Sequence, residues 1–249
     1  SFKDRQKYVA GEWRFRGGFA RASNPRRMVK TWAEKEGRNL LRLAHGGVPA
    51  PRLRGLVAHV LLMDFLGDGD VPLPRLKDAV LKSSQWRASY YQLILAIRTM
   101  FQECRLVHAD LSEYNVLARG SDIYIIDVGQ AVEHDHPNAL HFLRADCTNI
   151  TAFYSAPSRV PNAMSARRLF DFVTDTSIRN VDDWLEDEMS RERDPAEGED
   201  GSWLNAYIPR TLSDVVDPER DIFEVEEGDE RVDAYKAIAG LPREAQNAL

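Results

Sequence analysis

The stretch Leu106-Val107-His108-Ala109-Asp110-Leu111-Ser112-Glu113-Tyr114-Asn115, taken with Asp127-Val128-Gly129 further on, decides how the rest of the chain is interpreted. Residues 105–115 hold too few apolar positions for a helix, so we expect an extended loop. Two short apolar runs follow, and the polar turn between them predicts a β-hairpin. Because the outer ends of a hairpin lie side by side, Asn115 and Asp127 should point into one site.

The side chains at these two positions suggest a chemistry. Asn115 and Asp127 offer oxygen ligands, which suit Mg2+, an ion that keeps several waters and is rarely enclosed by protein alone. Asp110 lies five residues before Asn115, and phosphoryl-transfer enzymes use this layout of His-x-Asp, Asn and a second Asp. In that layout Asp110 accepts a hydroxyl proton, while the other two hold magnesium against nucleotide phosphates. A surface hairpin with polar ends is the alternative, and three matching spacings argue against it.

The same block resembles a known family. Residues 108–115 (His-Ala-Asp-Leu-Ser-Glu-Tyr-Asn), 124–130 (Tyr-Ile-Ile-Asp-Val-Gly-Gln) and 133–137 (Glu-His-Asp-His-Pro) look like the RIO atypical serine/threonine protein kinases. The Ser-Glu-Tyr-Asn and Glu-His-Asp-His-Pro forms resemble the first RIO subfamily. The resemblance runs from Phe2 to about Leu212. It implies an α+β, two-lobed protein-kinase-like (RIO) fold.

The resemblance also implies an activity and its setting. ATP and Mg2+ would be the cofactors, and Asp127 would itself accept phosphate as an aspartyl-phosphate in an ATPase cycle. The protein would act in the cytoplasm as a switch in maturation of the small ribosomal subunit. Its partners would be the precursor subunit with its RNA and the assembly factors that are released. Neither DNA nor a membrane is expected.

A helix is predicted from Asn24-Pro25 to about Ala44, with Asn as N-cap and Pro at the first helical position. Glu36 interrupts its apolar stripe, and burying a carboxylate costs several kcal/mol unless a cation answers it. In kinases that cation is a strand lysine that touches the ATP phosphates, and Glu36 looks like its partner. Alternatively, Glu36 turns to solvent or pairs with a local arginine. No glycine-rich loop and no strand lysine precede this helix, so we expect an incomplete N-terminal lobe. The rest of the stripe is Met28, Trp32, Leu40 and Leu43.

A hinge between the lobes is predicted next. Residues 57–65 are apolar with a break at His59, which indicates a buried strand, and residues 67–70 indicate a turn. By resemblance Met63 lies at the back of an adenine pocket, while the Asp64 carbonyl and the Leu66 amide bond the adenine edge. Met63 as an ordinary core residue is the alternative. The same resemblance assigns Leu117 and Ile126 to the ATP site.

Three regions are predicted along the chain. Residues 1–66 form a partial N-terminal lobe, residues 67–190 the catalytic lobe, and residues 191–249 an acidic linker and tail in which residues 203–212 are apolar enough to dock. The catalytic lobe should contain helices at 74–81, 84–104, from near 137, 165–174 and 181–189. The acidic and histidine-rich run 133–136 is expected to be a turn and helix cap rather than a zinc site, because adjacent residues do not converge on a metal.

Charge is distributed unevenly. The chain of 249 residues has a net charge of −6. Residues 1–60 contain fourteen Lys/Arg and four Asp/Glu, a net of +10, whereas residues 181–230 contain nineteen acids and four bases, a net of −15. A basic first quarter with interleaved aromatic residues suits RNA phosphates, and a solvated basic loop is the alternative. The chain has two cysteines and no run of eighteen apolar residues, which favours a reducing compartment and argues against a membrane span.

Two other functions fit part of the pattern. Small-molecule phosphotransferases of the aminoglycoside type share His-x-Asp and Asn, but the Ser-Glu-Tyr-Asn form argues against them. A non-catalytic RNA- or protein-binding module would explain the missing phosphate loop and lysine.

Overall fold

The computed structural model describes residues 25–190, together with Tyr8 and Trp203. The helices are α1 Pro25–His45, α2 Ser83–Gln102, α3 Ala139–Tyr154, α4 Ala166–Thr174 and α5 Val181–Ser190, with a 3-10 turn at Leu76–Asp78. The strands are β1 Leu53–Val57, β2 Val60–Met63, β3 Gly67–Asp68, β4 Val71–Pro72, β5 Leu106–Val107, β6 Val116–Arg119, β7 Asp122–Ile125 and β8 Val132–Glu133. All pair antiparallel, in twos: β1–β2, β3–β4, β5–β8 and β6–β7. The mixture of helices and separate strand pairs confirms the predicted α+β class.

Helix α1 follows its prediction closely. It ends at His45, and Gly47 turns the chain with a φ of +72°. The amide of Val48 then bonds the carbonyl of Leu43 at 3.0 Å. Of the predicted stripe, Trp32, Leu40 and Leu43 are buried, while Met28 and Glu36 are half-buried.

The predicted buried strand at residues 57–65 is wrong. The chain reverses at Ala58-His59, where Ala58 has a φ of +56°, and Val57 pairs with Val60. The polar break at His59 therefore marks a hairpin turn rather than an interruption in one strand. Within the described residues β1 and β2 pair only with each other, so their outward side chains are exposed, with Val57 76% and Leu62 63% accessible.

The predicted helix at residues 74–81 shrinks to the 3-10 turn Leu76–Asp78. Arg75 is extended and forms a bridge with Leu117, and the carbonyl of Pro74 accepts from the amide of Ala118 at 3.0 Å. Backbone groups that a helix would have used thus bond the β6–β7 hairpin instead. Helix α2 starts just beyond, at Ser83 rather than after Ser84, with the Lys82 amide bonded to Oε1 of Gln85 at 3.0 Å.

Helix α2 runs through the core of the described region. One face of α2 is buried, with Trp86, Tyr90, Leu93, Ile97, Met100 and, just past its end, Cys104, while Phe101 on the same side is half-buried. It packs against α4, β5 and β7. The Tyr90 hydroxyl accepts the amide of Met164 at 2.9 Å, and the Tyr90 and Tyr154 rings lie 5.0 Å apart. The predicted helices at 165–174 and 181–189 also agree with α4 and α5 to within a residue or two.

Part of the predicted tail contact can be described. The Trp203 ring meets the Phe170 ring edge-on at 5.7 Å, and its carbonyl accepts from Nη1 of Arg144 at 2.8 Å. Residues 204–212, the linker 191–202 and the basic segment 1–24 apart from Tyr8 lie outside the described residues. In the described part of the chain, each helix is too short or too polar to cross a bilayer.

Candidate active site

The loop that carries Asp110 is anchored at its start by β5. Leu106 pairs with Glu133 and Val107 with Val132, and both β5 residues are buried. Ala109 has a φ of +67°, a left-handed conformation that costs a non-glycine residue about 1 kcal/mol and persists only where the surroundings enforce it. Beyond it, Asp110 is exposed.

A buried acid, Asp146 of α3, enforces this loop conformation. Its Oδ2 accepts the amide of Ala109 at 2.9 Å, and its Oδ1 accepts the amide of Leu111 at 2.8 Å. The two amides flank Asp110, so one carboxyl fixes the backbone on both sides of the exposed acid. Burial raises the pKa of Asp146 to about 8, and the two amide bonds oppose that rise. Asn149, one helical turn further on, donates to the carbonyl of Leu111 at 3.1 Å.

The β6–β7 hairpin is confirmed, with Val116 opposite Ile125 and a Gly120-Ser121 turn in which Gly120 has a φ of +60°. Asn115 precedes the hairpin and its Nδ2 donates to the carbonyl of Asp110 at 2.8 Å. Because a carbonyl only accepts, the NH2 of this amide must face Asp110, which turns Oδ1 away from that bond and leaves it as the atom that would bind a metal. The carbonyl of Asn115 accepts the amide of Ile126 at 3.0 Å.

His108 ties the loop to the second acid. It is buried and its Nε2 donates to the carbonyl of Ile126 at 3.0 Å. Burial lowers the pKa of His108, so the ring is neutral with its proton on Nε2. Asp127 follows Ile126 directly, is exposed, and has a φ of +57°. The structure thus places Asn115 and Asp127 at the neighbouring outer ends of the hairpin, as predicted, and Asn115 also contacts Asp110.

Helix α1 closes this cluster from the other side. Asn39 donates to the carbonyl of Val128 at 2.8 Å. A Cβ placed on Gly129 would lie 3.2 Å from Nε1 of Trp32 and 3.5 Å from Oε2 of Glu36. The Glu36 carboxylate therefore lies against Gly129 at the site, rather than turning wholly to solvent. A Cβ there would press on the Trp32 side chain, so the close approach of α1 favours glycine.

Gln130 is a site residue that the sequence analysis did not identify. Its Nε2 donates to Oδ2 of Asp110 at 3.1 Å, and its carbonyl lies 3.5 Å from Nζ of Lys35. Gln130 thereby restricts the orientation of the exposed carboxylate. In the sequence, the only indication that Gln130 belongs to the site was its position three residues after Asp127.

The hinge residues are arranged for backbone contacts. Met63 is half-buried, pairs with Leu53 and packs on the core. The Asp64 amide donates to the carbonyl of Arg52 at 3.0 Å, and the carbonyl of Leu66 accepts the amide of Leu73 at 3.0 Å.

The groups assigned to adenine, the Asp64 carbonyl and the Leu66 amide, have no hydrogen-bond partner within the described residues. The Asp64 carboxylate pairs instead with the Arg54 guanidinium, whose Nη2 lies 3.0 Å from Oδ2. Leu117 and Ile126 are half-buried at the start and end of the β6–β7 hairpin.

The donor set fits a magnesium ion bound partly by substrate. Within the described residues, no three His, Cys, Asp or Glu side chains converge on one point. The Asn115 amide oxygen and the Asp127 carboxylate supply two oxygen ligands, which leaves room for phosphates and waters. The run 133–136 is used otherwise: Glu133 pairs with Arg42 at 2.6 Å, and Nδ1 of His136 accepts the amide of Asn138, the N-cap residue of α3, at 3.0 Å. The predicted turn is present at residues 134–135, but Glu133 belongs to β8, and the N-cap residue of α3 is Asn138, outside the run.

Known proteins are similar in sequence to this chain over most of its length. Residues 1–168 match the family described as RIO domain. The serine/threonine-protein kinase rio1 of Dictyostelium discoideum is 45% identical over 254 residues, which cover 99% of this chain and 44% of that protein. The serine/threonine-protein kinase RIO1 of Homo sapiens is 47% identical over 262 residues, 98% of this chain and 46% of that protein. The chain thus spans less than half the length of these relatives.

A comparison with solved structures matches part of this chain to the Rio2 kinase-ADP/Mg2+-phosphoaspartate complex from Chaetomium thermophilum. It is 21% identical, with a TM-score of 0.45 over 65% of this chain and 55% of that chain. The family match extends over more than half of the sequence and includes every residue of the cluster above. This chain therefore belongs to the RIO domain family, and its relatives RIO1 agree with the predicted first subfamily.

Proposed function

We propose that this chain carries the catalytic site of an atypical serine/threonine protein kinase with ATPase activity, dependent on ATP and Mg2+. One observation carries the proposal: hydrogen bonds join Asn115 to the backbone of Asp110 and to that of Ile126, the residue directly before Asp127. Asn115 bonds the Asp110 backbone at 2.8 Å, and both Asn115 and His108 bond the backbone of Ile126 beside Asp127 at 3.0 Å. The names of the RIO1 relatives support the kinase activity.

Each member of the cluster has a role in the proposal. Asp110, oriented by Gln130, accepts the proton of the attacking hydroxyl. The amide oxygen of Asn115 and the carboxylate of Asp127 hold Mg2+, whose charge offsets that of the phosphates. Glu36, placed against Gly129, would pair with the lysine that contacts the ATP phosphates, and because no strand lysine precedes α1 in this sequence, a longer form of the chain would have to supply it.

The remaining predicted ATP residues lie on the hinge and on the β6–β7 hairpin. The Asp64 carbonyl and the Leu66 amide bond the adenine edge, and Met63, Leu117 and Ile126 form its apolar surroundings. The bonding groups of the hinge are backbone atoms, which explains how an exposed two-stranded hairpin can still select adenine.

The proposal includes a covalent step at Asp127. Its carboxylate oxygen attacks the γ-phosphorus, the bond from that phosphorus to the ADP oxygen breaks, and an acyl phosphate forms. Water then hydrolyses it, so the net reaction is ATP hydrolysis. Alternation between loaded and empty states suits a cytoplasmic switch that times the release of assembly factors from a precursor of the small ribosomal subunit. The basic residues 1–54 would bind the RNA of that precursor, which their charge supports.

Asp110→Ala in the full-length protein tests the assignment. A general base acts in the transition state, so transfer should fall by about a thousandfold while ATP binding changes less than about twofold. Isothermal titration with ATP and a filter assay with labelled ATP measure the two. Wild-type protein that binds ATP but neither hydrolyses nor transfers phosphate would instead support a non-catalytic RNA- or protein-binding module. Parallel losses of affinity and activity in Asp110→Ala would contradict the role of a base.

A further inference from the structure

An open groove of about 700 Å³ runs along the outer face of α2, where this helix meets the turn of the β6–β7 hairpin. Arg87, Tyr91 and Leu95 line it from the helix, and Asp122 lines it from the hairpin. The hairpin is fixed on the helix because Oε1 of Gln92 accepts the amide of Ile123 at 2.7 Å. The groove therefore has a rigid floor.

The floor of this α2–hairpin groove is largely apolar. Tyr91 and Leu95 are one helical turn apart, pack against the core and remain partly accessible. Ala88 lies one turn before them on the same side and is small. The small Ala88 beside the larger Tyr91 and Leu95 leaves space for aliphatic side chains of a ligand. Accessible apolar concavities are typical of binding surfaces.

Asp122 lines the groove, and two further acids lie close enough to its lining residue Tyr91 to act on it electrostatically. Asp182 and Glu186 are exposed and one turn apart on α5. Both raise the pKa of the Tyr91 hydroxyl, with burial as the larger cause, so this face of α5 lies beside Tyr91. Asp122 is exposed on the opposite border. Helix α5 contains five acids and no base, whereas Arg87 is the single base that lines the groove in the described structure.

We propose that the α2–hairpin groove docks a linear segment of a partner protein that combines lysine or arginine residues with two aliphatic residues. The aliphatic residues fill the space over Ala88, Tyr91 and Leu95. The cations meet Asp182 and Glu186. Charge selects this occupant over the acidic region after α5, because residues 191–230 hold fourteen acids and four bases, a net charge of −10, and would be repelled.

The groove is also well placed for a protein substrate. Only eleven residues separate Asp127 from the start of α3 at Ala139, and they are used by β8 and the turn before the helix, so little chain remains near the site to hold a peptide. Strand β6 leads from the hairpin turn to Asn115 and spans about 13 Å at 3.3 Å per residue. A segment docked at the groove would hold its protein near the site. Docking itself does not depend on the proposed activity.

Fluorescence anisotropy with the full chain tests the docking site. The probes are labelled peptides in which Lys-Arg-Lys is joined to Leu-Gly-Leu by short Gly/Ser spacers of increasing length, and each is matched by a version with both leucines replaced by serine. We expect saturable binding of at least one leucine-bearing probe. Asp182→Lys/Glu186→Lys should weaken it about tenfold or more, because two attractive charges become repulsive.

The matched control is Asp183→Lys/Asp187→Lys, which makes the same charge change on α5 about 100° around the helix. It should weaken binding less than about threefold, since Asp183 and Asp187 are not among the acids that act on Tyr91. Leu95→Ala keeps all charges and should also weaken binding about threefold or more, through lost apolar contact. Circular dichroism and thermal melting of each variant show whether the fold is retained.

Several outcomes would overturn the proposal. They are no binding by any probe, equal binding of the leucine and serine versions, or equal losses in the two double variants. A photo-crosslinker at Ser84 identifies any occupant already present. Crosslinks to residues 1–24 of the same chain, or to a second copy, would show that the groove serves the protein itself rather than a partner.

Discussion

The two longer β-hairpins of this protein differ in how they are held, and the difference separates two kinds of functional residue. In β6–β7 the side chains of Val116, Ala118, Ile123 and Ile125 are each at most 2% exposed. Its backbone is also bonded from outside, since the amide of Ile125 donates to the carbonyl of Pro49 at 2.8 Å. In β1–β2, by contrast, Val60 is 60% and Leu62 63% exposed.

The buried hairpin positions side chains, and the exposed hairpin presents backbone. Asn115 and Asp127 need fixed directions because their side chains would bind metal and phosphate, and β6–β7 supplies rigid ends for both. After β2, by contrast, the proposed contacts to adenine need only the Asp64 carbonyl and the Leu66 amide at the spacing of the adenine edge. A less constrained hairpin with an exposed ion pair is sufficient for that purpose.

Asp146→Ala should have the largest effect on stability. It leaves the amides of Ala109 and Leu111 without their acceptor, and buried donors that lose a partner cost about 1–3 kcal/mol each. We expect the free energy of unfolding in urea to fall by about 4 kcal/mol. Asp135→Ala, at an exposed acid, is the control and should change it by less than about 0.5 kcal/mol. A loss below about 1 kcal/mol in Asp146→Ala would mean that the loop does not depend on this carboxyl.

The protonation of Asp146 gives a second test of how this carboxyl stabilises the protein. Its folded pKa of about 8 lies above the ordinary value of 3.8, so the folded protein holds a proton that the unfolded chain releases. The free energy of unfolding should therefore decrease as the pH rises from about 4 to about 8. Asp146→Asn has no such proton and should show a flatter dependence in urea titrations across this window. Identical slopes would indicate that the buried carboxyl is ionised.

A matched pair of valines compares the two hairpins directly. Val116→Ala removes two buried methyl groups and should lower the free energy of unfolding by about 2 kcal/mol. Val60→Ala makes the same change on the exposed hairpin and should lower it by less than about 0.5 kcal/mol. Chemical denaturation of both variants measures the two values. Comparable losses would contradict the contrast between a buried β6–β7 hairpin and an exposed β1–β2 hairpin.

The smallest effect is expected at Asp64. Asp64→Asn removes the exposed pair with Arg54 but keeps the carbonyl that would bond adenine. Surface ion pairs contribute little, so the KM for ATP should change less than about twofold. A large rise in KM would show that the carboxylate, rather than the backbone, contacts the nucleotide.

Local patterns predicted much of the fold and the centre of the site. Helix α1 had an N-cap, a periodic stripe and a glycine end, and the β6–β7 hairpin had two apolar runs around a polar turn. The spacing of Asp110, Asn115 and Asp127 then sufficed to place them together, because a short hairpin leaves little freedom.

What the sequence did not predict depends on contacts between distant residues. Asp146 bonds amides 35 and 37 residues away, and its only local signal was an acid inside an apolar helix, the same signal that singled out Glu36. Residues 74–81 have helical composition, yet the bridge from Arg75 to Leu117 holds them extended. A single polar residue such as His59 within an apolar run fits a turn as well as an interrupted strand. The sequence therefore could not distinguish the β1–β2 hairpin from one strand.

The central claim is that Asp127 accepts phosphate, and trapping the covalent adduct tests it most directly. The full-length protein is incubated with γ-labelled ATP and Mg2+, quenched in acid and then treated with hydroxylamine, which cleaves acyl phosphates but not phosphoserine. We predict hydroxylamine-labile label in the wild type and in Asp135→Asn, and none in Asp127→Asn. Label that resists hydroxylamine, or labile label that persists in Asp127→Asn, would contradict a phosphoryl intermediate at this residue.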